Sequence, residues 1–137
     1  MLTKKYLDKL TYDVVGAAIE VHKALGAGLL ESVYHECMKH ELSRRKISFQ
    51  TELVVPVYFK DIVLETALRC DLFIESCLAV ELKAVAELLP VNDAQLLTYM
   101  KLLKSPKGIL INFNCVNLFK QGQKTFVNEL FRKLPEG

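Results

Sequence analysis

The chain has 137 residues, 51% of them hydrophobic and 25% charged, and its 18 basic and 16 acidic side chains leave a formal net charge of +2. That balance describes one folded globular domain and excludes a disordered chain, while no apolar run approaches the ~20 residues that a membrane-spanning helix needs. The small positive charge permits nucleic-acid binding through local patches without announcing it.

Taken in chain order, residues 3–25 carry Leu7, Leu10, Val14, Ala17, Ala18, Val21 and Leu25 at three-to-four spacing, which predicts an amphipathic helix. Gly26-Ala27-Gly28 ends it. A second helix is expected over residues 29–45, with Leu30, Val33, Tyr34, Cys37, Met38 and Leu42 on its buried face. Residues 52–58 are β-branched and read as a strand, where Pro56 indicates an edge position or a bulge. Lys60-Asp61 reads as a hairpin turn into Ile62-Val63-Leu64. Strands follow over 68–74 and 78–85, joined by the short connection Glu75-Ser76-Cys77. Asn92 or Asp93 caps a helix over about 94–104, stopped by Ser105-Pro106, and 108–113 reads as a buried strand. The order α-α-β-β-β-β-α-β predicts an α/β (α+β) fold, with helices flanking a mixed sheet, in one domain over residues 1–137.

Two charges interrupt the apolar strand at 78–85. Glu81 and Lys83 are two residues apart and therefore share a face. Burying them is costly unless they bind a metal, pair with each other or line a wet cleft. If the connection at 75–77 is a three-residue loop, Ile74 opposes Leu78 and the register sets Asp71 opposite Glu81. Directly opposed Cβ atoms lie about 4.5–5.5 Å apart, which suits two carboxylates sharing one hard cation. A surface ion pair between Glu81 and Lys83, with Asp71 as a capping residue, is the alternative that these residues leave open.

Further along, Gln95 and Tyr99 stand four apart on one helix face. Gln95 could hydrogen-bond a metal-bound water or a phosphate, and Tyr99 could orient or contact a nucleic-acid backbone. Glu31 lies one helical turn before Tyr34, where it could favour the helix dipole or complete a metal shell. Cys37, Cys70, Cys77 and Cys115 show no paired spacing of the kind zinc requires and read as reduced, mostly buried thiols. His22, His35 and His40 read as partly exposed helix residues outside this scheme. The basic groups Arg44-Arg45-Lys46, Lys101/Lys104/Lys107 and Lys120/Lys124 read as solvated surface. The first residues show no secretory leader, and a cytoplasmic location is expected.

The segment Gly28-Leu29-Leu30-Glu31-Ser32-Val33-Tyr34 resembles the signature of the GxxExxY family of small prokaryotic proteins, placed in the PD-(D/E)XK nuclease superfamily. The resemblance extends over about residues 15–127. It takes in Glu81-Leu82-Lys83-Ala84-Val85, Ala94-Gln95-Leu96-Leu97-Thr98-Tyr99 and Ile111-Asn112-Phe113-Asn114. It implies a restriction-endonuclease-like core, with Asp71, Glu81 and the backbone carbonyl of Leu82 as metal ligands and Lys83 positioning the attacking water. Glu31 would match the acidic residue on the preceding helix, and Gln95 and Tyr99 resemble the Gln-x-x-x-Tyr motif of RecB-like nucleases. Cys70 replaces the superfamily's nominal proline at a tolerant position. Leu68 replaces the glycine of the RecB-like pattern, which weakens that detailed analogy and leaves the metal site untouched.

The reading that follows is hydrolysis of nucleic-acid phosphodiesters, DNA before RNA, with Mg2+ or Mn2+ as the cofactor. Its alternatives are a nucleic-acid-binding or assembly module that keeps the fold without useful cleavage, and a different metal-dependent hydrolase using the same carboxylates. A homodimer, or a protein partner that supplies specificity, would serve a chain without a separate DNA-reading domain.

Overall fold

The structure, a computed structural model, describes residues 1–65 and 68–137. Two helices, α1 (Lys4–Leu25) and α2 (Glu31–Arg44), lead into the strands β1 (Phe49–Val54), β2 (Val57–Phe59), β3 (Ile62–Leu64), β4 (Arg69–Ile74) and β5 (Leu78–Lys83). Then come α3 (Pro90–Leu103), β6 (Lys107–Asn112), α4 (Leu118–Gln121), β7 (Gln123–Val127) and α5 (Glu129–Arg132). Five strands form one sheet in the order β1-β4-β5-β6-β7, and β2 and β3 form a separate two-stranded ribbon. All neighbours in the large sheet are antiparallel except β5 and β6. A parallel pair needs a long crossover, and α3 supplies it. The result is a mixed sheet flanked by helices, the restriction-endonuclease-like architecture expected from the sequence.

Alternation along the strands sorts the apolar side chains into two cores. Leu72, Ile74, Leu78, Val80, Leu82, Ile109 and Ile111 pack under α1 and α2, against Leu7, Val14, Tyr34, Met38 and Leu42. Phe73, Ala79 and Leu110 face the other way, against Leu96, Tyr99 and Met100 of α3. The second layer is tight: a Cβ on Gly108 would lie 2.7 Å from the Met100 sulfur. No described helix is long and apolar enough to cross a membrane.

Several boundaries differ from the sequence reading. The expected strand 52–58 is two strands divided at Pro56, so five strands, not four, separate α2 from α3, and the order α-α-β-β-β-β-α-β is corrected. A residue without an N–H cannot continue a ladder, and β1 is an edge strand, as proline prefers. Helix α3 begins at Pro90, four residues before the expected start. Proline suits a first helical turn, and Asn92, expected as the cap, instead accepts the backbone N–H of Leu89 at 2.8 Å. Leu30 and Val33 are exposed at 74% and 37%, because α2 begins only at Glu31 and its buried stripe is Tyr34, Met38 and Leu42. Lys107 is buried, paired with Asp8 at 2.8 Å and lying over the Phe131 ring, so its reading as solvated surface does not hold. The four cysteines are free thiols, Cys70 and Cys77 buried and the other two half-buried.

Candidate active site

The site is built on a register. Ile74, Phe73 and Leu72 oppose Leu78, Ala79 and Val80, as a three-residue connection requires. Continued by one pair, that register sets Asp71 opposite Glu81. The regular pairing stops there because Asp71 Oδ2 accepts the backbone N–H of Leu82 at 2.9 Å. The alternation that turns Ala79 toward α3 turns Glu81 and Lys83 to the same side, while Asp71 lies where β4 breaks its alternation, between Cys70 in the α3-side core and Leu72 in the other, with its carboxyl in hydrogen-bond reach of Glu81.

Glu81 is 4% exposed. Burial pushes its carboxyl up to about 10, and a hydrogen bond to Asp71 together with that residue's charge adds to the rise, with Lys83 opposing it. Tyr99 of α3 lies within reach of this pair's charge. It is 3% exposed, and burial, then the charge of Glu81, pushes its phenol up to about 12. The Cys70 thiol is also raised to about 12, first by burial and then by Glu81. Four groups from three elements therefore sense one another's charge in a dry setting.

Glu31 reaches the same neighbourhood from α2. Its carboxyl is raised, chiefly by partial burial, while Lys83 lowers it and Asp71 raises it. The loop before it explains how it is presented. Gly26 and Gly28 adopt φ of +71° and +95°, a region that favours residues without a Cβ. Tyr34, fully buried and stacked on Phe113 with ring centroids 4.5 Å apart, donates its hydroxyl to the Gly26 carbonyl at 2.6 Å. It also accepts the Leu29 N–H at 3.2 Å. The spacing Gly-x-x-Glu-x-x-Tyr is thus a mechanical device: the tyrosine locks the glycine loop, and the locked loop holds the glutamate at the first turn of α2.

Two residues outside the sequence scheme join the cluster. One ligand atom from each of His35, Glu52 and Asp71 lies within 4.8 Å of the other two. Glu52 is the β1 position between Thr51, paired with Leu72, and Leu53, paired with Cys70, which sets it beside Asp71 on β4. Its φ of +50° breaks the extended run there. His35, read from sequence as a helix residue without a role, is half-buried, with Nδ1 3.4 Å from Glu52 Oε1 and Nε2 3.1 Å from Thr51 Oγ1. Its position four residues after Glu31, on the same helical face, was the signal that could have found it. Nothing local in the sequence marks Glu52. The other histidines keep their reading as helix residues away from the cluster: His40 is exposed, and His22 is half-buried with Nε2 2.8 Å from the Cys115 carbonyl oxygen.

Asp71 and Lys83 lie within electrostatic reach of both Glu31 and Glu81, and Tyr99 lies within reach of Asp71 and Glu81. Gln95 is half-buried one turn before Tyr99 on α3. Tyr99 itself is too deep for the direct nucleic-acid contact read from its spacing. The alternative of a Glu81–Lys83 surface ion pair fails on both counts, since Glu81 is buried and no ion pair within 4.0 Å joins the two among the described residues. A buried carboxyl with no basic side chain in contact, beside a second carboxyl, is an oxygen-donor set that fits a hard divalent ion.

A family model described as the PD-(D/E)XK nuclease superfamily matches residues 8–126, a span that contains every residue of this cluster. No curated protein and no solved structure matches at a significant level. The architecture and the match over most of the chain lead to one conclusion: the chain belongs to the PD-(D/E)XK nuclease superfamily.

Proposed function

We propose that this single-domain chain is a cytoplasmic metal-dependent nuclease that hydrolyses phosphodiester bonds of nucleic acid, DNA before RNA, and that within the superfamily it is of the GxxExxY type. The observation that carries the reading is the hydrogen bond between Asp71 of β4 and buried Glu81 of β5, with Lys83 next on the Glu81 face. Asp71 and Glu81 would hold Mg2+ or Mn2+ with the Leu82 carbonyl, Glu31 completing the set. When bound, such an ion lowers the pKa of coordinated water and offsets charge on the scissile phosphate.

The protein groups have separable tasks. Asp71 is oriented by the Leu82 amide, which fixes one carboxylate oxygen and leaves the other for the ion. Glu81 must give up its proton to serve as a ligand, because burial and Asp71 hold it protonated otherwise. Lys83 supplies a positive charge beside these carboxyls, where a phosphate's negative charge would build up. Tyr99 closes the α3 side of the pair and keeps bulk water from it. The GxxExxY assignment is supported by the tyrosine lock that holds Glu31 at the mouth of the site.

The test is cleavage of supercoiled and linear DNA, single-stranded DNA and RNA with Mg2+ or Mn2+, run beside Asp71→Ala and Lys83→Ala. Each substitution is expected to lower the rate by ~100-fold or more. Cleavage that survives both identifies a contaminant. Metal binding without cleavage of any substrate refutes the enzyme reading in favour of a binding module.

A further inference from the structure

We propose that the cavity between α1 and the β6–β7 edge of the sheet is a nucleotide-binding site, separate from the carboxylate cluster, that takes a guanine nucleotide. It goes beyond the proposed nuclease site and does not rest on it.

The cavity has a volume of about 500 Å³, within the range of small-ligand sites. Asp8, Tyr12 and Gly16 follow one another at four-residue intervals along its α1 wall, and Lys107 of β6, Phe119 of α4 and Arg45 join them. Lys107 shares the strand parity of Ile109 and Ile111, which pack under α1, whereas Glu81 shares that of Ala79, which faces α3. The cavity and the Glu81 carboxyl therefore lie on opposite faces of the sheet.

Three observations point to a ligand. Lys107 is only 6% exposed, a rare place for an ammonium. Its Nζ donates to Asp8 Oδ1 at 2.8 Å and lies 5.5 Å from the Phe131 ring centroid, and no second acceptor meets it among the described residues. An ammonium has three N–H donors, so two are left for something inside the cavity. Second, Tyr12 and Phe119 line the cavity yet are 79% and 62% exposed, their rings left to solvent. The third observation is Gly16. Glycine weakens a helix interior, and this one stands in the middle of a 22-residue helix. A Cβ there would lie 3.1 Å from Arg45 Nη1, so the glycine lets Arg45, from the end of α2, lie against α1 and reach the cavity wall. Arg45 is held by Glu41 at 2.8 Å through Nε and by the Asp13 carbonyl at 3.3 Å through Nη1, which leaves Nη2 uncommitted.

These groups are the parts of a nucleotide pocket. An aromatic ring holds a base by its face. The Asp8 carboxylate and the Lys107 ammonium, side by side, offer acceptor oxygens next to N–H donors. Guanine has the matching edge, two adjacent N–H donors beside a carbonyl. From Asp8 to Gly16 is about 12 Å along the helix axis, close to the span of a nucleotide from base edge to phosphate, so Arg45 meets the phosphate. Both cations already have carboxylate partners, and the site therefore selects by stacking and hydrogen-bond pattern more than by net charge.

The experiment titrates GMP into the full chain in EDTA, so that no metal takes part, and reads calorimetry and amide chemical shifts. GMP is expected to shift residues of α1, α4 and β7 and to bind at least ~10-fold tighter than CMP or inorganic phosphate. Tyr12→Ala, at an exposed position with little structural risk, should weaken GMP and guanosine alike by ~10-fold or more. Arg45→Ala should weaken GMP by about 10-fold and leave guanosine unchanged. Asp8→Asn should erase the preference for GMP over AMP. Asp71→Ala should bind GMP as the native chain does, which separates this site from the nuclease centre. Competition by a short single strand that begins with guanosine 5′-phosphate assigns the pocket to strand ends, and failure to compete assigns it to the free nucleotide. No binding of GMP, binding that survives both Tyr12→Ala and Arg45→Ala, or binding lost in Asp71→Ala overturns the proposal.

Discussion

Glu81 is ordinarily a carboxylate near 4.5, and in the metal-free fold it is held protonated up to about 10 by burial and by Asp71. Because its folded value is raised, the folded state binds a proton that the unfolded chain releases above the ordinary value. Stability associated with Glu81 is therefore full below about pH 4.5 and is lost as pH rises toward 10. Each pH unit inside that window is worth about 1.4 kcal/mol, so at about pH 7.5 the accumulated loss is about 4 kcal/mol. Glu81→Gln keeps the shape and the ability to donate to Asp71 but cannot ionise. In EDTA the variant should melt with the native chain near pH 5 and progressively above it at higher pH. By pH 7.5 the gap should reach roughly 10–20 °C, from about 3–5 °C per kcal/mol for a chain of this size. Saturating Mg2+ should narrow the gap from the native side, since binding at 100 times Kd adds about 2.7 kcal/mol and the variant lacks the ligand. Thermal melts by circular dichroism over pH 5–9, with and without Mg2+, are the assay. Parallel curves for the two proteins would refute the reasoning, because they would mean that Glu81 is ionised and already compensated within the fold.

Two further expectations follow from the same cores. Tyr34→Phe removes the hydroxyl that bonds the Gly26 carbonyl, inside a fully buried stack on Phe113, and should cost about 1–3 kcal/mol, read as a lower urea midpoint. An unchanged midpoint would show that water replaces the bond and that the loop is not locked. Burial raises Cys70 to about 12 and Cys77 to about 11, so at pH 8 their thiolate fractions fall to about one in a thousand or less. Iodoacetamide labelling followed by peptide mass spectrometry should modify half-buried Cys37 first, and labelling of Cys70 at a comparable rate would contradict its burial beside Glu81.

The parts of the fold legible in the sequence are those where one period dominates. Helix α1 is periodic enough that its predicted positions Leu7, Leu10, Val14, Ala17, Ala18 and Val21 are found inside, with Val15 added to them and Leu25, also predicted, only half-buried. The hairpin of β4 and β5 was legible because its connection is short, and a short connection leaves little freedom of register. Helix α2 was read less well at its start. Leu29, Leu30 and Val33 extend the apolar pattern, yet they sit beside a loop whose geometry is dictated by Gly26, Gly28 and a tertiary contact between Tyr34 and Phe113. Local periodicity contains no term for that contact. The elements after β6 are short and were left unassigned, and β7 owes its place to pairing with β6 across the sheet edge, which no window of a few residues expresses.

The candidate site divides along the same line. Asp71, Glu81 and Lys83 could be found because they lie within one hairpin, where counting residues is equivalent to measuring distance. His35 left only its spacing from Glu31 as a signal, and Glu52 left none, because its meeting with Asp71 needs α2 to bring His35 against β1 and Glu52 to leave the extended conformation at φ +50°. That conformation costs a non-glycine residue of order 1 kcal/mol or more, and it persists only where something else in the structure over-determines it. The contact between Glu52 Oε1 and His35 Nδ1 at 3.4 Å, with Asp71 beside them, is one such determinant. If the strain instead served only to interrupt the β1 ladder, Glu52→Gly would relieve it and raise the thermal midpoint. If the contact with His35 is what holds it, the same substitution forfeits that contact and leaves the thermal midpoint unchanged or lower.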